Sequence, residues 1–238
     1  MPTIQENIAT VQARIQRAVQ LAQRDPNSVQ LVAVSKTKTA ADINAAAACG
    51  LTEFAENYLQ EALKKITASA ALGLNWHFIG PVQSNKTKLI AQSFSWVHSV
   101  DRIKIAQRLS DQRPPQLGPL NICLQVNIDR EASKSGLMPE QLAEVANAIA
   151  QLPNLKLRGL MAIPERRRQL EDQRKPFQEL RLLKEQINCQ LDKRQKLDTL
   201  SMGMSADLEA AIQEGATMVR IGTDIFGARN AASNPRVE

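Results

Sequence analysis

The run LDTLSMGMSADLEAAIQEGATMVRIG, residues 197–222, carries a strand, a helix and a second strand with little between them. LDTLSMG (197–203) and ATMVRIG (216–222) are short and largely apolar, and Leu208, Ala211 and Ile212 between them recur at helical spacing. Two strands joined through a helix lie parallel, with a right-handed connection. The fold then depends on how often this unit recurs toward the N-terminus.

It recurs without a break. LKLRGLMAI (155–163) reads as the sixth strand, with a helix over 176–191 behind it. LNICLQVNI (120–128) is the fifth, and Leu142, Val145 and Ile149 mark a helix over 139–150. SWVHSV (95–100), WHFIG (76–80) and FAEN (54–57) are the fourth, third and second, with helices over 101–109 and 83–91 and one after FAEN. LVAV (31–34) is the first, and Thr39 with Asp42 three residues on opens the helix after it. Ahead of all these, Ile4, Ile8, Val11, Ile15 and Val19 form one face of an extra helix, started by a Thr3–Glu6 capping box and ended by Asp25-Pro26-Asn27. Eight strands alternating with helices predict an α/β fold of the closed (β/α)8 kind, preceded by an N-terminal helix. The length, 238 residues with 43% hydrophobic, suits one such domain spanning 1–238.

Composition narrows the function. Three distant cysteines, Cys49, Cys123 and Cys189, offer neither a disulfide framework nor a zinc site. The opening MPTIQENIATVQARIQ has no apolar run, so no signal peptide or membrane span is expected, and the reading is a cytoplasmic protein without a membrane partner. A net charge of +6 raises the question of nucleic acid, but Arg166, Arg167 and Arg168 are flanked by Glu165, Glu171 and Asp172, and aromatic residues make up 3% of the chain. The charge therefore reads as a solvated surface, and no nucleic-acid partner is expected.

In a barrel of this kind chemistry collects where the strands end. The first strand runs out in VSKTK, which places Lys36 at the mouth of a dry interior. Desolvation there would lower its pKa and free the amine for imine formation with an aldehyde; a lysine extending past the strand end to water is an equal reading. The seventh strand ends in SMGMS, where Gly203 permits a tight turn and Ser205 is placed to cap the next helix, an arrangement that suits an anion or serves as an ordinary turn. The eighth ends in RIGT, where Gly222 and Thr223 offer backbone N–H groups and a hydroxyl to the same anion. Barrel closure would bring the eighth strand beside the first, so the amine and the anion site would share a pocket. Arg220, two residues before Gly222, can point into that mouth and donate to a ring nitrogen, or form a surface ion pair. Asn57 can contact a ring hydroxyl or cap a helix. His77, between Trp76 and Phe78, reads as a core histidine before it reads as a base, and His98 has even less context. No Ser–His–Asp set, metal-ligand spacing, P-loop or glycine-rich nucleotide fingerprint is present in the sequence.

Taken together, VAVSKTK around Lys36, ENYLQE (56–61), WHFIGPVQSNK (76–86), SKSG (133–136), SMGMSADLEAAI and VRIGTDIFG (219–227) closely resemble the pyridoxal 5′-phosphate (PLP) homeostasis family, PLP-binding proteins with the fold type III barrel also found at the N-terminus of alanine racemase. The resemblance implies that Lys36 carries PLP as a Schiff base. It implies that Ser201, Gly222 and Thr223 bind the phosphate with Ser205 nearby, that Arg220 meets the pyridine nitrogen, and that Asn57 lies beside the cofactor. Members usually have glycine before the ENY motif, where this chain has Ala55.

An arginine at the ring nitrogen keeps that nitrogen unprotonated and the ring a weak electron sink. Alanine racemase also draws a tyrosine base from a second, β-rich domain of its partner subunit; this sequence stops just past the eighth strand, and its one tyrosine, Tyr58, lies in the ENYL motif. The resemblance thus implies storage and delivery of PLP, with apo PLP enzymes as recipients, no robust turnover and a monomeric chain. The alternatives are a PLP-dependent racemase or lyase, in which His77 is the one modest candidate for a second base, and an interaction protein using Arg166–Arg168.

Overall fold

A computed structural model describes residues 2–228; Met1 and residues 229–238, the ends of the expected domain, lie outside the described residues. Helix α1 (Ile4–Leu21) comes first, and both reciprocal bonds of the Thr3–Glu6 capping box are present. Then strands and helices alternate: β1 (Gln30–Val34), α2 (Ala40–Ala48), β2 (Glu53–Glu56), α3 (Leu59–Ala68), β3 (Asn75–Phe78), α4 (Thr87–Ser93), β4 (Trp96–Val100) and α5 (Ile103–Gln112). The second half runs β5 (Leu120–Val126), α6 (Leu142–Ala150), β6 (Leu155–Ala162), α7 (Leu170–Gln190), β7 (Thr199–Ser201), α8 (Leu208–Gln213), β8 (Met218–Ile221) and α9 (Thr223–Phe226). Each strand pairs in parallel with the next, and β8 returns to β1 with Val32 opposite Arg220 and Ala33 opposite Ile221, which closes the barrel.

Two layers of core follow from the alternation of strand side chains. Leu31, Ala33, Phe54, Phe78, Val97, Ile122, Leu160 and Val219 face outward and are buried under the helices with Ile43, Ile90, Ile105, Phe177 and Leu208. Inside the barrel the apolar side chains fall into two small groups: Val32, Val34 and Ala55, and Trp96, Cys123 and Met161. The buried polar side chains His77, His98, Ser201 and Arg220 run between these groups.

Three local expectations are corrected. The helix expected from residue 176 begins at Leu170, and Pro176 lies inside it. A proline here removes one bond, to the carbonyl of Asp172, and that oxygen instead accepts from Arg167 Nη1 at 3.4 Å. Residues 139–141 form a short 3-10 turn, and the α-helical hydrogen bonding of α6 starts at Leu142. Ser205 does not cap α8: the N-cap is Asp207, whose carboxylate accepts from the backbone N–H of Met204 at 2.6 Å.

Candidate functional site

Lys36 follows the end of β1 in a turn and is half-buried. Its neighbours are held on both sides. Ser35 is fully buried; it donates its hydroxyl to Glu56 Oε1 at 2.6 Å, and its carbonyl accepts from Lys65 Nζ at 2.7 Å. On the other side the Thr37 N–H donates to Glu61 Oε1 at 2.6 Å, and Thr37 adopts φ +64°. That left-handed conformation costs a β-branched residue on the order of 1–3 kcal/mol, so the surrounding bonds must impose it. Lys65 ties the arrangement together, pairing with Glu56 at 2.8 Å and with Glu61 one turn earlier on α3. Burial raises the Glu56 pKa, while Lys65 and Ser35 pull it back.

The turn is also fastened to the last strand. Lys38 Nζ donates to the carbonyls of Phe226 at 2.9 Å and Gly227 at 3.2 Å, at the end of α9. Gly222, between β8 and α9, approaches Val34 so closely that a β-carbon on it would stand 3.1 Å from the Val34 oxygen. Thr223 is exposed beside it. Lys36, Gly222 and Thr223 therefore share one rim, as the barrel closure required.

Arg220 is not a surface residue. It is 4% exposed, donates from Nη1 to Ser201 Oγ at 2.7 Å and from Nη2 to the Ala162 carbonyl at 3.0 Å. Burial lowers its pKa from the ordinary arginine range to about 10, with the Asp207 carboxylate opposing, so the guanidinium stays charged at neutral pH. Ser201 is fully buried beneath it and meets His98 Nδ1 at 2.7 Å as well. Ser205 lies half-buried on the β7–α8 loop, where its carbonyl accepts from Arg14 of α1 at 3.0 Å.

Asn57 is brought to the mouth without capping a helix: α3 has Tyr58 as its N-cap and no side-chain cap bond. Asn57 Oδ1 is buried and has no hydrogen-bond partner among the described residues. The residue lines a cavity of about 250 Å³ with Ile79, Gln125, Asn127, Ser135 and Ile163, a wall that does not include Lys36, Arg220, Gly222 or Thr223. A buried acceptor left without a partner is one that a polar ligand can satisfy. An amine, a buried guanidinium, a glycine–threonine rim and this amide oxygen match in chemistry the aldehyde, ring nitrogen, phosphate and ring hydroxyl of PLP.

His77 is a core histidine, as its neighbours suggested. It is fully buried, lies within 2.7 Å of Glu53 Oε2 and 2.8 Å of His98 Nε2, and stacks on Trp96 at an interplanar angle of 4°. The residues missed from sequence are Glu53, Glu56, Glu61 and Lys65. Glu56 and Glu61 belong to the ENYLQE motif, and charged residues inside a strand were the available signal. The Arg166–Arg168 region is internally balanced: Arg167 pairs with Asp129 at 2.5 Å, and Arg167 and Arg168 line a groove with Glu131, Glu165, Asp172 and Glu179. Among the described residues no group of His, Cys, Asp and Glu could hold a metal ion, and no helix is long and apolar enough to cross a membrane.

Comparison with known proteins agrees with this geometry. Residues 7–230 match the family model described as the N-terminal domain of alanine racemase. The pyridoxal phosphate homeostasis protein of Pseudomonas aeruginosa is 63% identical over 230 residues, covering 97% of each chain. That of Escherichia coli K12 is 49% identical over 237 residues, covering 97% of this chain and 98% of the other. The structure of PipY from Synechococcus elongatus with PLP bound superposes with a TM-score of 0.81 at 34% identity, covering 94% of this chain and all of that one. Alanine racemase from Corynebacterium glutamicum shares the fold at a TM-score of 0.68 and 14% identity, this chain matching 62% of its length. The chain thus belongs to the pyridoxal phosphate homeostasis family, on the barrel of the alanine racemase N-terminal domain.

Proposed function

We propose that this protein binds PLP as a Schiff base on Lys36 and takes part in intracellular PLP homeostasis, holding and releasing the cofactor without robust turnover. The observation that carries the reading is the rim shared by Lys36, Gly222 and Thr223, with charged Arg220 buried beside it. In this reading Gly222 and Thr223 hold the phosphate with Ser205 nearby, Arg220 serves the pyridine nitrogen, and Asn57 Oδ1 accepts from the ring hydroxyl. Ser201, assigned to the phosphate by family resemblance, already bonds Arg220 and His98, so a phosphate contact from its hydroxyl requires an exchange of partners.

When bound, PLP supplies an aldehyde for reversible imine exchange, and an arginine-faced ring is a weak electron sink. The chain's own groups support binding more than proton transfer. Ser35, Thr37 and their carboxylate partners orient the Lys36 turn, and Arg220 excludes a proton from the ring nitrogen. A racemase or lyase needs a second titratable group across the ring, and His77, the candidate for it, is spent on Glu53 and His98. Monomeric behaviour, a cytoplasmic site and delivery to apo PLP enzymes complete the proposal.

The test is the near-visible absorption spectrum of the purified protein and of Lys36→Ala, before and after borohydride reduction. A yellow wild type, locked by reduction onto Lys36, with loss of the band in the variant, supports the assignment. A wild type that stays colourless after incubation with PLP overturns it. An amino-acid turnover panel on the yellow protein then separates carrier from enzyme.

A further inference from the structure

Hydrogen bonds run through the barrel interior from Arg220 to Glu53 without a gap. Arg220 Nη1 meets Ser201 Oγ at 2.7 Å, Ser201 Oγ meets His98 Nδ1 at 2.7 Å, His98 Nε2 meets His77 Nδ1 at 2.8 Å, and His77 Nε2 meets Glu53 Oε2 at 2.7 Å. The five residues come from five strands or their ends: β8, β7, β4, β3 and β2. Arg220 stands one residue before the end of β8, at the mouth; Glu53 opens β2, at the opposite end of the barrel.

With neutral imidazoles, the chemistry of the two ends fixes the direction of every bond between them. A guanidinium only donates, and an ionised carboxylate only accepts. Glu53 therefore takes the Nε2–H of His77, which leaves Nδ1 of His77 as an acceptor. His98 must then present Nε2–H to it, and its own Nδ1 accepts the Ser201 hydroxyl proton. Ser201 keeps a lone pair for Arg220. With both imidazoles neutral, one arrangement alone satisfies all four bonds, the two rings in the same tautomer; a doubly protonated His77 would reverse the two bonds beyond it and leave the serine proton without a partner.

The surroundings agree. Burial holds His77 below its ordinary pKa against the pull of Glu53, and holds His98 well below, with His77 and Arg220 pushing the same way. Burial alone would raise Glu53, but the bonds from His77 and Asn75 outweigh it and keep the carboxyl ionised. Trp96 stacks on His77, lies 5.7 Å from the His98 ring and is itself covered by the Arg158 guanidinium at 5.0 Å. The remaining charged or titratable groups acting on Arg220 are Asp207 and Cys123, whose thiol burial pushes up to about 12.

We infer that Glu53, His77, His98 and Ser201 are positioning residues for Arg220, a one-directional hydrogen-bonded strut that carries the polarity of a carboxylate at the barrel base to the guanidinium at the cofactor mouth. The inference rests on the PLP reading only for what Arg220 faces; the polarity of the strut is a property of the chain by itself. Replacing Glu53 by glutamine keeps the shape and removes the constraint, because an amide can accept from His77 or donate to it. In the inverted arrangement His98 donates to Ser201, and the serine proton loses its partner.

The protein has two histidines, so nitrogen-15 histidine labelling gives two imidazoles to read. In wild type without PLP, both are expected as neutral Nε2–H tautomers from about pH 6 to 8, clear of the ordinary histidine pKa shift seen at exposed sites. Glu53→Gln is expected to give mixed tautomers, to move the near-visible band of bound PLP, and to weaken PLP binding roughly tenfold, the size of one lost charge-assisted bond. A wild type with an Nδ1–H or doubly protonated imidazole at pH 7.5 overturns the strut, whether or not any variant folds. A Glu53→Gln protein with one tautomer, an unmoved band and wild-type affinity overturns it as well. A wild type with the expected tautomers that takes up no PLP sinks the cofactor reading and leaves the strut standing.

Discussion

Gly222 lies against Val34: a β-carbon at 222 would stand 3.1 Å from the Val34 carbonyl oxygen and 3.4 Å from its Cβ. The last strand is seated on the first through this contact. Gly222→Ala is expected to push the β8 end off β1 at a cost of about 1–3 kcal/mol, the usual range for overpacking. In a chain of this size that is a fall in Tm of several degrees, roughly 2–4 °C per kcal/mol. PLP binding should weaken with it, since the rim that carries Thr223 moves away from Lys36. Thermal melts and a PLP titration check both, and a variant indistinguishable from wild type in the two removes the role.

Lys65 neutralises two carboxylates under the Lys36 turn, Glu56 with no exposure and Glu61 partly exposed. Lys65→Met leaves Glu56 buried without its cation, and the expected loss is about 3–5 kcal/mol. Adding Glu56→Gln should recover part of it, because the stranded charge is gone. Urea denaturation of the single and double variants measures the difference; equal stability of the two would show that Glu56 is not the source of the cost.

Stability should fall with acid in a window set by the interior histidines. Both have folded-state pKa values below 6.5, so the unfolded chain binds protons that the folded chain refuses. The unfolding free energy is then full above the unfolded pKa near 6.5 and declines as the pH drops through it. The limiting slope is about 1.4 kcal/mol per pH unit for each histidine. Glu56 and Asp207 are raised by burial and act in the opposite direction at lower pH. The share of His98 is therefore read as wild type minus His98→Gln, by urea denaturation between pH 5.5 and 7.5, and that difference should shrink with acid.

Two glycines separate lack of space from backbone conformation. At Gly80 an added β-carbon would fall 2.0 Å from the Asn57 oxygen, on backbone that cannot yield; at Gly73 it would meet nothing within 4 Å, although φ is +62°. Gly73→Ala should cost about 1 kcal/mol through conformation alone. Gly80→Ala should cost several times that and displace Asn57 from the cavity. Denaturation of both variants gives the order, and a reversed order would refute the packing argument.

The barrel was legible because each strand is a short apolar run with its own helix behind it, as LVAV before Thr39 and ATMVRIG before Thr223 are. Capping chemistry was legible where the partners lie three residues apart, as in Thr3–Glu6 and Thr39–Asp42. It failed at Ser205, since Asp207 occupies the N-cap position and no side chain caps the helix. Lys36, Gly222, Thr223 and Arg220 could be placed together from strand order. The strut could not: His98 and Ser201 are 103 residues apart, and no period in a sequence announces two side chains meeting across a barrel. A histidine in each of two adjacent strands, flanked by Trp76 and Trp96, was its only trace.

The closing of β8 onto β1 has a consequence for how the protein is made. Lys36 leaves the ribosome seven strands ahead of Thr223, so a ligand that needs both has nothing to bind until β8 has emerged. Whatever bridges those two strands adds to the stability of the finished ring and nothing to its fragments, by the mass-action term of a ligand that binds only the native state. Cofactor uptake would then report a closed barrel, a quality signal written into the order of the strands.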